Sequence, residues 1–117
     1  MAKRTLETQF VADEHQLAQR RALNDNLELP REVDHFAFFR KKASAEVVAE
    51  ILRGEGYSVA LSPAGRKTQL AAHKVSPVDP ATVMAFVTAI ARTVEAHGGI
   101  YDGWGGPVVT SPEDPID

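Results

Sequence analysis

The chain of 117 residues contains no cysteine, and this absence excludes several kinds of chemistry together. Disulfide bonds, thiolate nucleophiles and zinc sites built on thiolates are all ruled out. A cysteine-free chain fits a reducing compartment, and the basic residues 1–4 are not followed by an apolar stretch typical of a signal peptide. We therefore expect a cytoplasmic protein.

Long apolar runs and an excess of one charge are missing as well. The most apolar segment, residues 81–91, is interrupted by Thr82 and Thr88 and is too short to span a bilayer, so we expect no contact with a membrane. The formal net charge is -3, and the longest basic cluster is Arg40-Lys41-Lys42. This balance argues against strong non-specific binding of nucleic acid, although a local basic patch stays open.

The remaining composition is that of one globular domain. Hydrophobic residues make up 44% of the chain and charged residues 25%, which argues against disorder of the whole chain. We expect an N-terminal helical arm in residues 1–30, a compact domain in residues 31–110 and a mobile tail in residues 111–117.

Apolar periodicity and turn residues predict three helices and four strands. The helices are expected at residues 5–27, 44–54 and 79–97, with Ser44 and Asp79-Pro80 as the starts of the second and third. The strands are expected at residues 33–40, 57–62, 67–75 and 100–104, with a turn at residues 63–66. After the first helix the order is βαββαβ, which is that of the ferredoxin-like motif. The fold class is therefore α+β, a ferredoxin-like sandwich whose four-stranded antiparallel sheet carries two helices on one face.

The most unusual local feature is the segment Tyr101-Asp102-Gly103-Trp104-Gly105 in the last predicted strand. Its glycines indicate special backbone geometry, and a tryptophan beside them is a common anchor at interfaces. Two interpretations stay open, a bend that folds Trp104 over the edge of the core and an edge that binds a partner. A phosphate-binding loop is not expected, because no helix follows the segment.

The first strand contains three phenylalanines, Phe36, Phe38 and Phe39. RNA-binding sheets display aromatic residues of this kind, but the strand expected beside it, residues 69–74, has none. We therefore expect these phenylalanines to be core residues.

Catalytic and metal-binding patterns are not found in the sequence. His35 and His73 fall on strands expected to be neighbours and could face each other, but a third ligand is not apparent, so we expect no metal site. No nucleophile, base and acid occur at a readable spacing, and we expect no enzymatic activity and no cofactor. Two basic spots, Arg40 to Lys42 and Arg66 with Lys67, are expected to lie close together, as a solvated rim or as a patch that attracts an acidic partner or RNA.

The last helix and the segment from Tyr101 to Gly105 resemble the ribonuclease E inhibitor RraB family, the regulators of ribonuclease E activity B. The resemblance covers roughly residues 33–109 in the order of elements. It implies an α/β sandwich of ferredoxin-like type, no cofactor, no enzymatic activity, and binding to the endonuclease ribonuclease E that lowers its cleavage of RNA. By this resemblance Tyr101, Asp102, Gly103, Trp104 and Gly105 are candidates for contact with a protein partner.

Three functions follow as hypotheses. The first is a regulatory protein of the RraB type that binds a nuclease through the open side of the sheet or the Trp104 edge. The second is a small-molecule-binding module, since βαββαβ domains often dimerise and bind metabolites at subunit edges. The third is direct binding of RNA. The sequence leaves open whether the chain forms a homodimer.

Overall fold

A computed structural model describes residues 5–110 as an α+β domain with three helices and a four-stranded antiparallel sheet. In chain order the elements are α1 (Leu6–Ala22), β1 (Arg31–Phe39), α2 (Lys42–Gly54), β2 (Ser58–Ala64), β3 (Lys67–Ser76), α3 (Pro80–Ala96) and β4 (Ile100–Gly105). The tail expected at residues 111–117 lies outside the described residues.

The sheet has the strand order β2-β3-β1-β4, so β1 lies in its interior and β4 forms one edge. Side chains alternate in direction along a strand, and in β1 every second residue from Arg31 to Phe39 is buried. In the middle of the strand the cross-strand neighbours are buried as well, with Ala72 opposite His35 and Leu70 opposite Ala37. One face of the sheet therefore belongs to the core, and we call it the covered face.

Helices α2 and α3 supply the other half of that core. Their apolar stripes bury Val48 and Leu52 on α2 and Val87 and Ile90 on α3. The Asp79 side chain accepts a hydrogen bond from the Thr82 amide, which confirms Asp79 and Pro80 as the start of α3.

The predicted start of α2 was wrong. The helix begins at Lys42 with Lys41 at its N-cap, and no side chain caps it. Ser44 lies inside the first turn, where its amide donates to the Lys41 carbonyl oxygen. Ser44 fits the preference for hydroxyl caps, but the helix begins two residues before it.

The turn between β2 and β3 is shorter than the four residues predicted. Pro63 and Ala64 pair with Thr68 and Lys67 and thus belong to the strands. A proline is tolerated there because β2 is an edge strand, where a missing N–H removes no ladder hydrogen bond. The hairpin therefore projects further than the sequence indicated.

Helix α1 packs against α3 and along β4, and its buried side is largely polar. Thr5 and Thr8 form a capping box at its start. Leu17 joins the hydrophobic core, but Gln9, Asp13 and Arg20 are buried beside it. Within the described part of the segment expected as an N-terminal arm, α1 is therefore packed on the rest of the domain.

Candidate functional site

The segment from Tyr101 to Gly105 forms most of β4, and its side chains divide between the two sides of the sheet. Tyr101 and Trp104 point into the core and are 2% and 7% exposed. Asp102 is exposed. Its neighbours Gly103 and Tyr101 pair with Phe36 and Ala37 of β1, so Asp102 is the extra residue at a shift in the pairing register. Gly103 has φ of 110°, a conformation that side chains with a Cβ rarely adopt. The glycine thus lets the strand bulge while both aromatic residues stay inside.

Trp104 is held by α1. Its indole Nε1 donates to Asp13 Oδ1 at 2.8 Å, and the Gln9 amide donates to the same oxygen at 2.8 Å. The guanidinium of Arg20 lies 5.2 Å from the centre of the indole ring. A buried tryptophan whose N–H has a partner is a stable core residue. Trp104 is therefore not available at the surface as an interface anchor.

The strongest electrostatic feature is a buried carboxylate between two arginines. Arg20 Nη1 and Arg31 Nη1 lie 3.0 and 2.8 Å from Asp25, whose side chain is fully covered. The Asp25 pKa is lowered because hydrogen bonds from Arg31 and Arg20 outweigh the desolvation that would raise it. The arginines also donate to the carbonyl oxygens of Gly106 and Pro107. This network fastens α1, β1 and the segment after β4 to one another.

His35 occupies the centre of the covered face. Its Nδ1 shares a hydrogen bond of 3.0 Å with the Tyr101 hydroxyl, and its ring meets Phe86 edge-on at 4.8 Å. Burial lowers the pKa of His35 to about 4, because the charged imidazolium would lose its water. The histidine is thus a neutral core residue, and His73, on the other side of the sheet, does not face it as the sequence suggested.

The opposite side of the sheet, which carries Phe36, Phe38, Gln69 and Ile100, is not covered by any helix within residues 5–110, and we call it the open face. The expectation that all three phenylalanines are core residues was wrong for two of them. Phe39 is 1% exposed, whereas Phe36 and Phe38 are only half-buried and lie outside the core cluster.

Phe36 is the most prominent side chain at the centre of the open face. Its neighbours across the two adjoining strands are Gly103 and Ala71, which carry almost no side chain. Phe38 lies between Gln69 and Ile100, and Ile100 is 40% exposed. The alternation of side chains along a strand could have predicted this difference, because Phe36 and Phe38 point to one side of β1 and Phe39 points to the other.

One group on the open face has the donor atoms of a metal site. Glu32, Asp34 and His73 each offer one ligand atom, and these atoms lie within 4.8 Å of one another. Asp34 stands directly opposite His73 across β1 and β3. An exposed set of this kind can approach a divalent cation, although such groups are common in proteins that bind none.

The two basic spots meet at the far end of the sheet, as expected. Arg40 follows β1 immediately after the Phe39–Thr68 pair, and Lys67 precedes Thr68 on β3. Lys42 and Lys67 line one cleft, and Arg40 and Lys41 line another. We call the set Arg40, Lys41, Lys42, Arg66 and Lys67 the basic end; all five side chains are exposed.

Comparison with known protein families decides which group of proteins the chain belongs to. A family model described as regulator of ribonuclease activity B, RraB, matches residues 11–106. The chain belongs to the RraB family. The match includes most of α1 together with the whole sheet, and it confirms the resemblance drawn from Tyr101 to Gly105. A search of curated proteins returns no match.

Membership of the RraB family supports a regulatory role in ribonuclease activity. Within residues 5–110 no helix has the length and apolar character that crossing a membrane demands. The open face is the side of the sheet that no helix covers within residues 5–110, and it is the candidate binding surface.

Proposed function

We propose that this member of the RraB family binds a ribonuclease such as ribonuclease E and lowers its cleavage of RNA, and that it performs no catalysis itself. The family match carries the proposal, since its description names a regulator of ribonuclease activity. The polar groups buried around Trp104 and Asp25 hold the fold together, which supports a binding protein rather than an enzyme.

The proposed docking surface is the open face around Phe36, with the outward side of β4. Phe36 stands between Gly103 and Ala71, so no large side chain lies directly opposite its ring on the adjoining strands. Half-exposed aromatic residues surrounded by small ones are typical anchors at interfaces. Of the five candidate residues, Asp102 and Gly105 would contribute to the contact surface, while the buried Tyr101, Gly103 and Trp104 would support it from beneath.

We also infer that the chain has the ferredoxin-like fold. After α1 the elements follow the order βαββαβ, and β1 pairs with both β3 and β4 in an antiparallel sheet. This order leaves one face without crossover helices, because both crossovers pass over the other side. The fold therefore supplies the surface on which the proposed docking depends.

The test is binding of purified ribonuclease E to the immobilised full chain, together with the initial rate of cleavage of an RNA substrate. We expect the wild-type chain to bind and to slow cleavage. Phe36→Ala should weaken binding about thirtyfold, which corresponds to about 2 kcal/mol for a central aromatic anchor. Met84→Ala is the matched control, because Met84 is 56% exposed on α3 and lies away from the open face.

Two outcomes would contradict the proposal. If Phe36→Ala and Met84→Ala bind the ribonuclease equally well, the open face is not the docking surface. If light scattering shows a dimer that Phe36→Ala dissociates, the face is occupied by a second copy of the chain instead. Thermal melting of both variants would check that each is folded.

A further inference from the structure

The basic end is an exposed cluster of cations that the proposed docking of a ribonuclease does not use. Five exposed cations come together there from two segments of the chain: Arg40, Lys41, Lys42, Arg66 and Lys67. The ion pairs within residues 5–110 involve Asp25 and Glu50, so none of these five cations is neutralised by a carboxylate of that range.

Two clefts at the basic end are lined by basic and hydroxyl-bearing residues. Lys42 and Lys67 both line a cleft of about 230 Å³, together with Ser62 and Thr68 and the apolar Leu61 and Pro63. A second cleft of about 230 Å³ presents Arg40, Lys41 and Ser44. Both are smaller than the roughly 300 Å³ at which pockets for whole metabolites begin. Ammonium, guanidinium and hydroxyl groups are the usual contacts to a phosphate backbone.

An aromatic side chain continues the basic end onto the open face. Lys67 is two residues before Gln69 on β3, so both side chains point to the same side of the sheet, and Gln69 stands beside Phe38 on β1. A half-exposed ring next to cations binds single-stranded nucleic acid, because an unpaired base stacks on the ring while its phosphates meet the cations. An acidic peptide such as polyglutamate would use the cations but has no planar base to stack on the ring.

We propose that the basic end binds single-stranded RNA, with phosphates on its cations, Lys42 and Lys67 among them, and one base on Phe38. This inference goes beyond the proposed function, since it assigns a second ligand to a different surface. It is also compatible with the net charge of -3, because the cations are concentrated at one end while Glu32 and Asp34 lie at the other end of β1.

The test is fluorescence anisotropy of a labelled ten-nucleotide oligouridylate titrated with the full chain at several salt concentrations. With about three phosphate contacts, we expect log Kd to rise with log salt at a slope of roughly 2. Lys42→Ala with Lys67→Ala should weaken binding about tenfold and reduce that slope by about 1.4. Phe38→Leu should weaken binding about fivefold or more with the slope unchanged.

The matched control is Arg21→Ala with Lys74→Ala, which removes the same charge from exposed positions on α1 and β3 outside the basic end. We expect that control to bind within about twofold of the wild type. Equal losses in the two double variants would overturn the proposal, as would no binding at low salt. Tighter binding of a duplex RNA or of a polyglutamate peptide of the same charge would overturn the assignment to single-stranded RNA. The Lys42 and Lys67 double variant should still bind the ribonuclease as the wild type does, because the docking on Phe36 does not use these cations. The failure of one proposal can therefore be distinguished from the failure of the other.

Discussion

The two sides of strand β1 differ in how completely their side chains are buried and hydrogen-bonded. On the covered side, His35 is 2% exposed and shares its hydrogen bond with Tyr101. On the open side, the adjacent Phe36 is half-buried between a glycine and an alanine. The covered side is a finished core in which polar groups have partners, whereas the open side has apolar surface with room for a partner.

This difference indicates what substitutions on each side should do. A change on the covered side leaves a buried polar group or a cavity, so it should lower the free energy of unfolding. A change on the open side removes little that the folded chain itself uses, so it should mainly alter binding. Four predictions test the comparison, beginning with the largest expected effect.

Asp25→Ala should destabilise the chain by about 3–5 kcal/mol, because it leaves Arg20 and Arg31 buried without their carboxylate. Urea denaturation would measure the change. Glu50→Ala is the control, since Glu50 pairs with Arg53 at 2.7 Å on the surface, with the two side chains 76% and 44% exposed. Its loss should cost no more than about 1 kcal/mol. Equal losses for the two variants would show that the buried network does not organise the fold.

Acidification should destabilise the chain through His35. The histidine has an ordinary pKa of 6.5 when unfolded and about 4 when folded, so the unfolded chain binds more protons between these values. Stability is therefore complete above pH 6.5 and falls by on the order of 3 kcal/mol as the pH drops to 4. Urea denaturation at pH 7 and pH 4.5 would measure the decrease.

His35→Gln should remove most of the pH dependence between pH 6.5 and 4, whereas His73→Gln should leave it in place. The lowered pKa of Asp25 acts in a different range, because its stabilisation is present above pH 3.8 and is lost below that value. A pH dependence that survives in His35→Gln would assign the effect to another group.

Trp104→Phe should cost about 1–3 kcal/mol, because Asp13 loses its bond from the indole N–H while the ring is retained. Thermal melting would measure this loss. Phe36→Leu, which also changes one aromatic residue but on the open side, should alter stability by less than about 1 kcal/mol. A larger loss of stability for Phe36→Leu than for Trp104→Phe would contradict the view that the covered side, and not the open side, stabilises the fold.

Substitution of the two glycines of β4 by alanine should give the smallest changes in stability among the four predictions. Gly103→Ala should cost about 1–2 kcal/mol, since Gly103 has φ of 110°. Gly105→Ala should change stability by less than about 0.5 kcal/mol, because a Cβ added there meets no atom within 4 Å. If Gly105→Ala weakens ribonuclease binding with unchanged stability, the outward side of β4 belongs to the docking surface.

The sequence predicts most of the secondary structure because apolar periodicity and turn residues are local signals. Asp79 and Pro80 predict the start of α3, because N-capping involves only residues that are close together in the sequence. The partners of α1 could not be predicted in this way, since Trp104 bonds to Asp13 across 91 positions of the chain. The candidate site was predicted only in part. The sequence singles out the segment from Tyr101 to Gly105, but the burial of Trp104 depends on α1, which is far away in sequence.

The most direct test of the docking surface is the amide NMR spectrum of the isotope-labelled chain during titration with purified ribonuclease E. The account predicts that the resonances of Phe36, Phe38 and Gly103 on the open face broaden first. Broadening confined to the outer surfaces of α2 and α3, around Val47 and Met84, which are 48% and 56% exposed, would contradict it.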